Sequence, residues 1–271
     1  MGRKKRYIDK AYCSTIGEDF NDGVWLLETR TYKKNAWGQV EVVPFHGTGF
    51  LFKRKTAFLT RCFLVSNKHL LVEGNPHCLL LKIPPITSHG SIISPAVTYQ
   101  LYPSKGKSLS EEPLASVVHA HPTLDLAIID VTEKIRELQK EFKYRNFKVD
   151  SLEEKNLPLN WDIQQDRPTH YLGFPDEQIY PTHFKGNIKR NPKYTSDIEL
   201  TALVAQGASG SPAFLNGEAG TYPKFLGVIE STESMEMEKG GVRQYVFGHA
   251  VKSCDLLAFI NDVLHKKGFH M

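Results

Sequence analysis

The chain has 271 residues, of which 41% are hydrophobic and 24% are charged. This composition is ordinary for a globular protein and excludes a collagen-like, coiled-coil or wholly disordered chain. Lysine and arginine number 34 against 30 aspartates and glutamates, and much of the excess lies in the run Arg3-Lys4-Lys5-Arg6. The rest of the chain is nearly balanced in charge, so we expect no nucleic-acid partner. The longest apolar runs are the length of strands, so we also expect no membrane partner.

Residues 1–23 are predicted to form a basic N-terminal extension. The stretch after Arg6 is too polar to supply the apolar core of a secretory signal. An alternative function for the extension is contact with RNA or an acidic membrane. The cysteines lie far apart in the sequence, which disfavours a zinc site and suits a reducing compartment: Cys13, Cys62, Cys78 and Cys254. We therefore expect a cytoplasmic protein.

Short β-prone runs separated by turns follow in two groups, over residues 24–131 and 169–252. Between them, Ile135, Leu138 and Phe142 have helical spacing, so residues 132–168 are predicted to be a helical connector. Residues 253–271 carry a second amphipathic pattern and are predicted to form a C-terminal helix. Each β-rich group has about six runs. The sequence therefore predicts an all-β fold of two packed barrels with two helices.

Three short motifs carry residues that catalyse hydrolysis in other proteins. The loop Gly207-Ala208-Ser209-Gly210-Ser211-Pro212 surrounds a serine with small residues, as an exposed nucleophile and its oxyanion hole require. A serine needs a base, and His69 follows the apolar strand that ends at Ser66. Asp125 begins another apolar strand, where a carboxylate needs a hydrogen-bond donor such as a histidine.

These motifs, together with Gly47-Thr48-Gly49-Phe50, resemble the trypsin/chymotrypsin-like serine peptidases, above all the intracellular microbial trypsin-like peptidase domains. The order His, Asp, Ser is that of the family. The resemblance implies two six-stranded antiparallel β-barrels, with His69 and Asp125 on the first and Ser209 on the second. It implies a serine endopeptidase in which Ser209 is the nucleophile, His69 the general base and Asp125 its orienting partner. No cofactor or metal is expected.

The same resemblance assigns further residues. The backbone N–H groups of Gly207 and Ser209 would form the oxyanion hole. Leu203 would lie at the floor of the specificity pocket, where an aspartate would select basic residues, and His249 would lie near the pocket wall and favour polar or acidic groups. The strand that pairs with an extended substrate would contain Ile229, Glu230, Ser231 and Thr232. The expected partners are a protein or peptide substrate and a regulatory protein.

Several alternatives stay open at this stage. Asp130 competes with Asp125 as the partner of His69, although its position before the connector favours a helix cap. The pair His119 and His121 has the spacing of metal ligands, but with no third ligand nearby it is more typical of a loop. A non-cleaving peptide-binding module on the same fold is the main functional alternative, and an esterase would use the same acyl chemistry.

Overall fold

The computed structural model describes residues 23–268, except for 58, 84–85, 89–90, 95, 104–112, 142–150, 160–162, 176–177, 179, 203, 217–223 and 236–243. The basic run of residues 3–6 and Cys13 therefore lie outside the described residues. For residues 86–94 and 231–247, the structure describes the backbone elements but not the side chains. No helix in the described ranges is long and apolar enough to cross a membrane.

The first half of the chain forms one large sheet. Its strands and the small hairpin beside it are β1 (Val24–Lys34), β2 (Val40–Lys55), β3 (Thr60–Ser66), β4 (Cys78–Ile83), β5 (Ile86–Ser88), β6 (Ser91–Ser94), β7 (Val97–Tyr102), β8 (Val118–Ala120), β9 (Ala127–Asp130) and β10 (Leu152–Glu153). The sheet order is β7-β4-β1-β2-β3-β9-β8, with β10 added in parallel to β2, while β5 and β6 pair with each other. All the other pairs in this sheet are antiparallel.

The second half closes into a barrel of six antiparallel strands. They are β11 (Pro168–Gly173), β12 (Thr182–Arg190), β13 (Asp197–Leu200), β14 (Pro212–Leu215), β15 (Lys224–Met235) and β16 (Gln244–Lys252), in the order β11-β12-β13-β16-β15-β14. The predicted mostly-β fold is confirmed, and so is the six-stranded second barrel. The first sheet differs in detail, because its described part has eight strands rather than six.

Three α-helices accompany the sheets in the described ranges: α1 (Lys68–Leu71), α2 (Thr132–Glu141) and α3 (Ser253–Lys266). Helix α2 begins at the first residue of the predicted connector, and residues 142–150 of the connector lie outside the described residues. Helix α3 buries an apolar face that contains Leu256, Ile260 and Leu264. Two short 3-10 helices span Leu114–Ser116 and Glu154–Asn156.

One aromatic-rich core joins the two sheets. Phe50 from β2 and Phe225 from β15 are fully buried, and their rings meet edge to face with centroids 5.3 Å apart. Phe52 and Phe214 pack around the same Phe225 ring. Burial of these large side chains on both sheets fixes how the sheets sit against each other. The candidate site lies at an edge of this shared core, where β2 meets the loop before β14.

A buried charged cluster stabilises the β1–β2–β4 part of the first sheet. The Glu28 carboxylate is 4% exposed and lies 2.6 Å from Arg30 Nε, 3.1 Å from His46 Nε2 and 2.5 Å from Lys82 Nζ. Burial alone would raise the pKa of Glu28, but hydrogen bonds from Lys82, Arg30 and His46 outweigh it and lower the pKa to about 2. The cluster therefore favours the folded chain only while Glu28 is ionised.

We expect Glu28→Gln to lower the free energy of unfolding by about 3 kcal/mol at pH 7. The folded pKa lies below the ordinary value of 4.5. The contribution of Glu28 is therefore complete above that value and is lost as the pH falls towards 2. Urea titrations of both proteins at pH 7 and pH 3 measure this, with the exposed Glu137→Gln as control. A difference between wild type and Glu28→Gln that does not shrink at pH 3 would contradict the prediction.

Candidate active site

The pairing of β3 with β9 brings His69 and Asp125 together. The two strands are antiparallel, with Ser66 opposite Ala127. His69 follows Ser66 by three residues, in α1, and Asp125 precedes Ala127 by two. Both residues therefore lie at the same end of the strand pair although they are 56 residues apart in sequence. The Asn67 side chain ties the ends together, since its Nδ2 donates to the Asp125 carbonyl at 2.7 Å.

Asp125 contacts His69 with both carboxylate oxygens. Oδ2 lies 2.5 Å from His69 Nδ1, and Oδ1 accepts the backbone N–H of His69 at 2.9 Å. An ionised carboxylate can only accept, so Nδ1 carries a proton, and in the neutral ring Nε2 is left with its lone pair. The histidine side chain is 39% exposed. This geometry orients an imidazole that can act as a base towards the solvent side.

The pKa values of the pair shift in opposite directions. Burial lowers the pKa of His69, but the hydrogen bond and negative charge of Asp125 outweigh it, and the pKa of His69 rises above 6.5. Burial raises the pKa of Asp125, but the His69 side chain and the backbone N–H groups of His69 and Lys68 lower it overall. Asp125 is therefore ionised at neutral pH and stabilises a positive charge on His69.

Thr48 of β2 is the residue that joins the first sheet to the serine loop. Its backbone N–H donates to the Ser209 carbonyl at 2.8 Å, and its hydroxyl donates to the Gly207 carbonyl at 2.9 Å. The same hydroxyl accepts the Phe174 N–H at 3.1 Å, and the Thr48 carbonyl accepts the Ser66 hydroxyl at 2.7 Å. Thr48 is fully buried. These bonds set the position of Ser209 relative to β2 and to the end of β3.

The serine loop turns through two glycines with left-handed backbone, Gly207 at φ +87° and Gly210 at φ +86°. The loop is held to β15, because the Gly210 N–H donates to the Ile229 carbonyl and the Ile229 N–H donates to the Ser211 carbonyl, both at 2.8 Å. A Cβ at position 210 would lie 2.0 Å from the Thr48 carbonyl oxygen. Gly210 therefore allows the close approach between the loop and β2.

We expect Gly210→Ala to destabilise the fold by about 3 kcal/mol or more, because backbone strain adds to a clash with a main-chain atom. The matched control is Gly38→Ala. Gly38 also has positive φ, +77°, but no atom lies within 4 Å of the position of its Cβ, so only the strain of about 1 kcal/mol remains. Urea denaturation followed by circular dichroism compares the two. Equal losses would contradict the proposed role of the close approach.

Two backbone N–H groups of the loop have no hydrogen-bond acceptor within the described residues. Among the described residues, neither the Gly207 N–H nor the Ser209 N–H donates to an acceptor, whereas the intervening Ala208 N–H donates to Ala205 at 3.1 Å. The bonds from Thr48 to the carbonyls of Gly207 and Ser209 fix the peptide groups that directly follow these two N–H groups. The two residues predicted to form an oxyanion hole thus present unused donors on one fixed loop.

The Ser209 hydroxyl has a weak partner in this structure. Its Oγ lies 3.5 Å from the Glu230 carbonyl oxygen, and no hydrogen bond joins it to the His69 ring in the described ranges. Gly47 lies between the segment of His69 and the serine loop. A Cβ at position 47 would lie 2.7 Å from the Leu70 side chain and 3.3 Å from the Ser209 carbonyl oxygen. Leu70, the neighbour of His69, and Ser209 therefore both lie close to this glycine.

The predicted substrate-binding residues differ in position, in burial and in how much of them the structure describes. Leu203 is outside the described residues. Ile229 is buried and Glu230 half-buried on β15, where Ser231 and Thr232 have described backbone only. His249 lies on β16 opposite Ser231, with its side chain half-buried. Among the described residues, β15 pairs with β14 as far as Val228, while it pairs with β16 as far as Met235.

The remaining candidates have structural contacts. Asp130 Oδ1 accepts the backbone N–H and the hydroxyl of Thr132 at the start of α2, as expected for a helix cap. His121 Nδ1 accepts the N–H groups of Thr123 and Leu124, within the turn before Asp125. No group of three potential ligands in the described ranges is arranged to hold a metal ion.

Two residues of this site had not been singled out from the sequence. Thr48 was seen only as part of a glycine-rich motif, and Ser66 only as the end of a strand. Their function is to connect segments far apart in the chain. The available signal was a pair of small polar residues in otherwise apolar strands, since buried hydroxyls require hydrogen-bond partners.

The structure is similar to that of an HtrA-type protease, AlgW, solved with a decapeptide. The TM-score is 0.56, the sequence identity 14%, and the match covers 91% of this chain and 65% of that chain. No protein-family model matches the sequence, and no curated protein matches it either. The similarity to the HtrA-type protease is therefore one of fold.

The chain therefore has the trypsin-like, chymotrypsin-type fold that HtrA-type proteases also have. The two β-structures and the similarity to this protease define the fold class of the chain. The chain spans 65% of the length of the HtrA-type chain it matches.

Proposed function

We propose that this protein is a serine endopeptidase that hydrolyses peptide bonds through an acyl-enzyme on Ser209. The observation that carries the proposal is the two-point contact between Asp125 and His69, 2.5 Å at Nδ1 and 2.9 Å at the backbone N–H. A carboxylate in this position leaves Nε2 as an oriented base, on the sheet whose Thr48 also holds the serine loop. The trypsin-like fold supports this reading.

In the proposed mechanism, Ser209 Oγ attacks the carbonyl carbon of the substrate while His69 Nε2 takes its proton. The negative charge that develops on the carbonyl oxygen accepts hydrogen bonds from the N–H groups of Gly207 and Ser209. Ionised Asp125 stabilises the imidazolium, which then protonates the leaving amine and breaks the amide bond. A water molecule, deprotonated by His69, attacks the acyl-enzyme, releases the carboxylic acid and restores the Ser209 hydroxyl.

The edge of β15 is the proposed platform for the substrate. Beyond Val228 and the two bonds of Ile229 to the serine loop, the side of β15 that faces β14 has no strand partner among the described residues. An extended peptide can add there by backbone hydrogen bonds along residues 230–232. Leu203 and His249 are proposed to line the pocket for the residue before the scissile bond. The HtrA-type protease of similar fold was solved with a decapeptide, which supports a peptide as the ligand class.

A fluorophosphonate probe tests the proposal, because it reacts covalently with an activated serine. We expect the wild type to be labelled at Ser209, Ser209→Ala not to be labelled, and His69→Ala to be labelled far more slowly. Mass spectrometry of the labelled peptide identifies the site. A profile of cleavage in a peptide library then gives the substrate preference. A folded wild type that neither reacts with the probe nor cleaves any peptide would overturn the proposal.

One observation favours a second candidate, a peptide-binding module that does not cleave. The Ser209 hydroxyl contacts the Glu230 carbonyl rather than the His69 ring. If a bound peptide does not turn the Ser209 hydroxyl towards His69 Nε2, the cleft binds the peptide without cleaving it. The labelling experiment separates the candidates, because the binding module would retain peptides from the library uncut and would not react with the probe.

A further inference from the structure

The loop that carries Asp125 is the short connection between β8 and β9. The His121 N–H donates to the Leu126 carbonyl at 2.8 Å and closes the base of this loop. Within the loop, Nδ1 of the His121 ring accepts the N–H of Thr123 at 3.3 Å and the N–H of Leu124 at 3.0 Å. The next residue is Asp125, which contacts the candidate base. One imidazole nitrogen therefore binds the two backbone groups that directly precede the orienting carboxylate.

The C-terminal helix fixes the position of the His121 ring. The ring packs edge to face against Phe259 of α3, with the ring centroids 5.1 Å apart and the planes at 75°. Phe259 is buried, so this contact ties the ring to the body of the protein. From α1, Lys68 Nζ donates to the His121 carbonyl at 3.4 Å. Contacts thus run from α3 through the imidazole to the loop of Asp125.

The hydrogen bonds define which form of the His121 ring fits this loop. Nδ1 accepts from two N–H groups, so it carries no proton, and the proton of the neutral ring is on Nε2. Protonation of the ring would place a third donor against these two donors, and both bonds would be lost. The ring is half-buried and lines a cavity of about 600 Å³ between the loop and α3. Protons from solvent can therefore reach it.

Charged and titratable groups near His121 come from three elements. They are Lys68 on α1, His119 on β8, and Asp255, Asp262, Lys266 and Lys267 on α3. Burial is the largest influence and lowers the pKa of His121; the charge of Lys68 lowers it further, while Asp255 and Asp262 raise it. The pKa of His121 lies below 6.5 overall. At neutral pH the ring is therefore uncharged, and both bonds to the loop are present.

We propose that His121 is a positioning residue of the endopeptidase: its neutral ring accepts two backbone N–H groups of the loop and thereby places the Asp125 carboxylate against His69. This inference rests on the proposed peptidase function. Activity should then fall in two steps as the pH falls. Protonation of His69, whose pKa lies above 6.5, removes the base. Protonation of His121, at lower pH, releases the loop. Below the pKa of His121, the slope of log kcat/KM against pH should rise from about one to about two.

Two substitutions separate the acceptor from the titration. Asn places its Oδ1 as many bonds from the backbone as Nδ1 of histidine, and it can accept N–H groups of the following residues without taking up a proton. Ala removes the acceptor. We expect His121→Ala to lose about tenfold or more in plateau kcat, because a small displacement of Asp125 misplaces the base. We expect His121→Asn to keep kcat within about threefold of wild type, with an acidic limb whose slope stays near one.

His119→Ala is the matched control. His119 lies two residues earlier, on β8, and its half-buried ring lines the same cavity, but no hydrogen bond joins that ring to the loop in the described ranges. We expect this variant to keep the wild-type plateau and the steeper acidic limb. The positioning role is wrong if folded His121→Ala keeps the wild-type plateau, or if His121→Asn or His119→Ala is as impaired as His121→Ala. It is also wrong if the wild-type slope stays near one at a pH where NMR shows His121 protonated.

NMR of the imidazole signals tests the inference without turnover. Burial lowers the pKa of His69, but the hydrogen bond and charge of Asp125 raise it above 6.5. Displacement of Asp125 should therefore lower the pKa of His69 in His121→Ala but not in His121→Asn. If wild type is active and His69 titrates identically in wild type and folded His121→Ala, only the inference about His121 fails. If wild type neither cleaves peptides nor reacts with fluorophosphonate but the titrations differ as expected, the peptidase function fails and the effect of His121 on Asp125 stands.

Discussion

Ser209→Ala is expected to lower kcat about 10⁶-fold, to the level that binding and the oxyanion donors alone provide. The reason is that no other hydroxyl of the serine loop is placed to attack. The Ser209 carbonyl accepts the Thr48 N–H at 2.8 Å, and within the described residues the Ser209 hydroxyl has a single contact, at 3.5 Å from the Glu230 carbonyl oxygen. Steady-state cleavage of the best peptide from a library, at pH 7–8, measures the effect.

Ser211→Ala is the matched control for Ser209→Ala, in the same loop. Ser211 is fully buried, and its hydroxyl has no hydrogen-bond partner in the described part of the chain. Removing an unsatisfied buried hydroxyl costs little or stabilises the fold. We therefore expect Ser211→Ala to keep kcat within a few-fold of wild type. Residual activity of Ser209→Ala within tenfold of wild type would contradict the assignment of the nucleophile.

Local sequence patterns were sufficient to predict the two β-structures of the fold. The β-prone runs that begin at Val24 and Leu124 contain strands β1 (Val24–Lys34) and β9 (Ala127–Asp130) of the first sheet. The strands that exceed the predicted six include the two-residue β10 (Leu152–Glu153). A period of two cannot be recognised over so few residues. Their formation depends on a partner edge that only the assembled sheet provides.

The candidate site was predicted residue by residue because each part lies in a compact motif. The choice between Asp125 and Asp130 also followed from the sequence, since Asp130 directly precedes a helix. The structure places Asp125 against His69 and Asp130 against Thr132. Which strands bring the motifs together, however, depends on the register of β3 with β9, and one sequence does not encode that register in any local pattern.

The contacts between the two sheets could not be predicted from the sequence. Thr48 bonds to Gly207 and Ser209, about 160 residues further along the chain, and its hydroxyl also accepts the N–H of Phe174 from the second half of the chain. Such contacts arise from the packing of two separately formed β-structures around one aromatic core. They are also the contacts that set how Ser209 lies relative to His69. The sequence therefore indicates which groups belong to the candidate site but not how these groups are aligned.

Asp125→Asn is expected to lower kcat about 10⁴-fold at neutral pH while the fold is retained. Asp125 accepts two hydrogen bonds from His69, one at each oxygen, but an amide has only one acceptor oxygen. If that oxygen keeps the backbone N–H, the amide NH₂ faces Nδ1 and requires a lone pair there. The ring proton then moves to Nε2, and the imidazole can no longer accept the proton of Ser209. The NMR signals of the ring N–H of His69 report this change of tautomer.

Asp130→Asn is the control that separates a general loss of charge from the loss of the base. Asp130 is the last residue of β9, opposite Phe63 of β3, where it contacts Thr132 and Arg61 rather than His69. We expect this variant to keep kcat within a few-fold of wild type and the His69 tautomer unchanged. Because the two substitutions are chemically identical and lie five residues apart, a 10⁴-fold loss confined to Asp125→Asn would assign the effect to one hydrogen bond at Nδ1. Equal losses in both variants would instead point to the shared β9 segment and would remove the support for Asp125 as the orienting carboxylate.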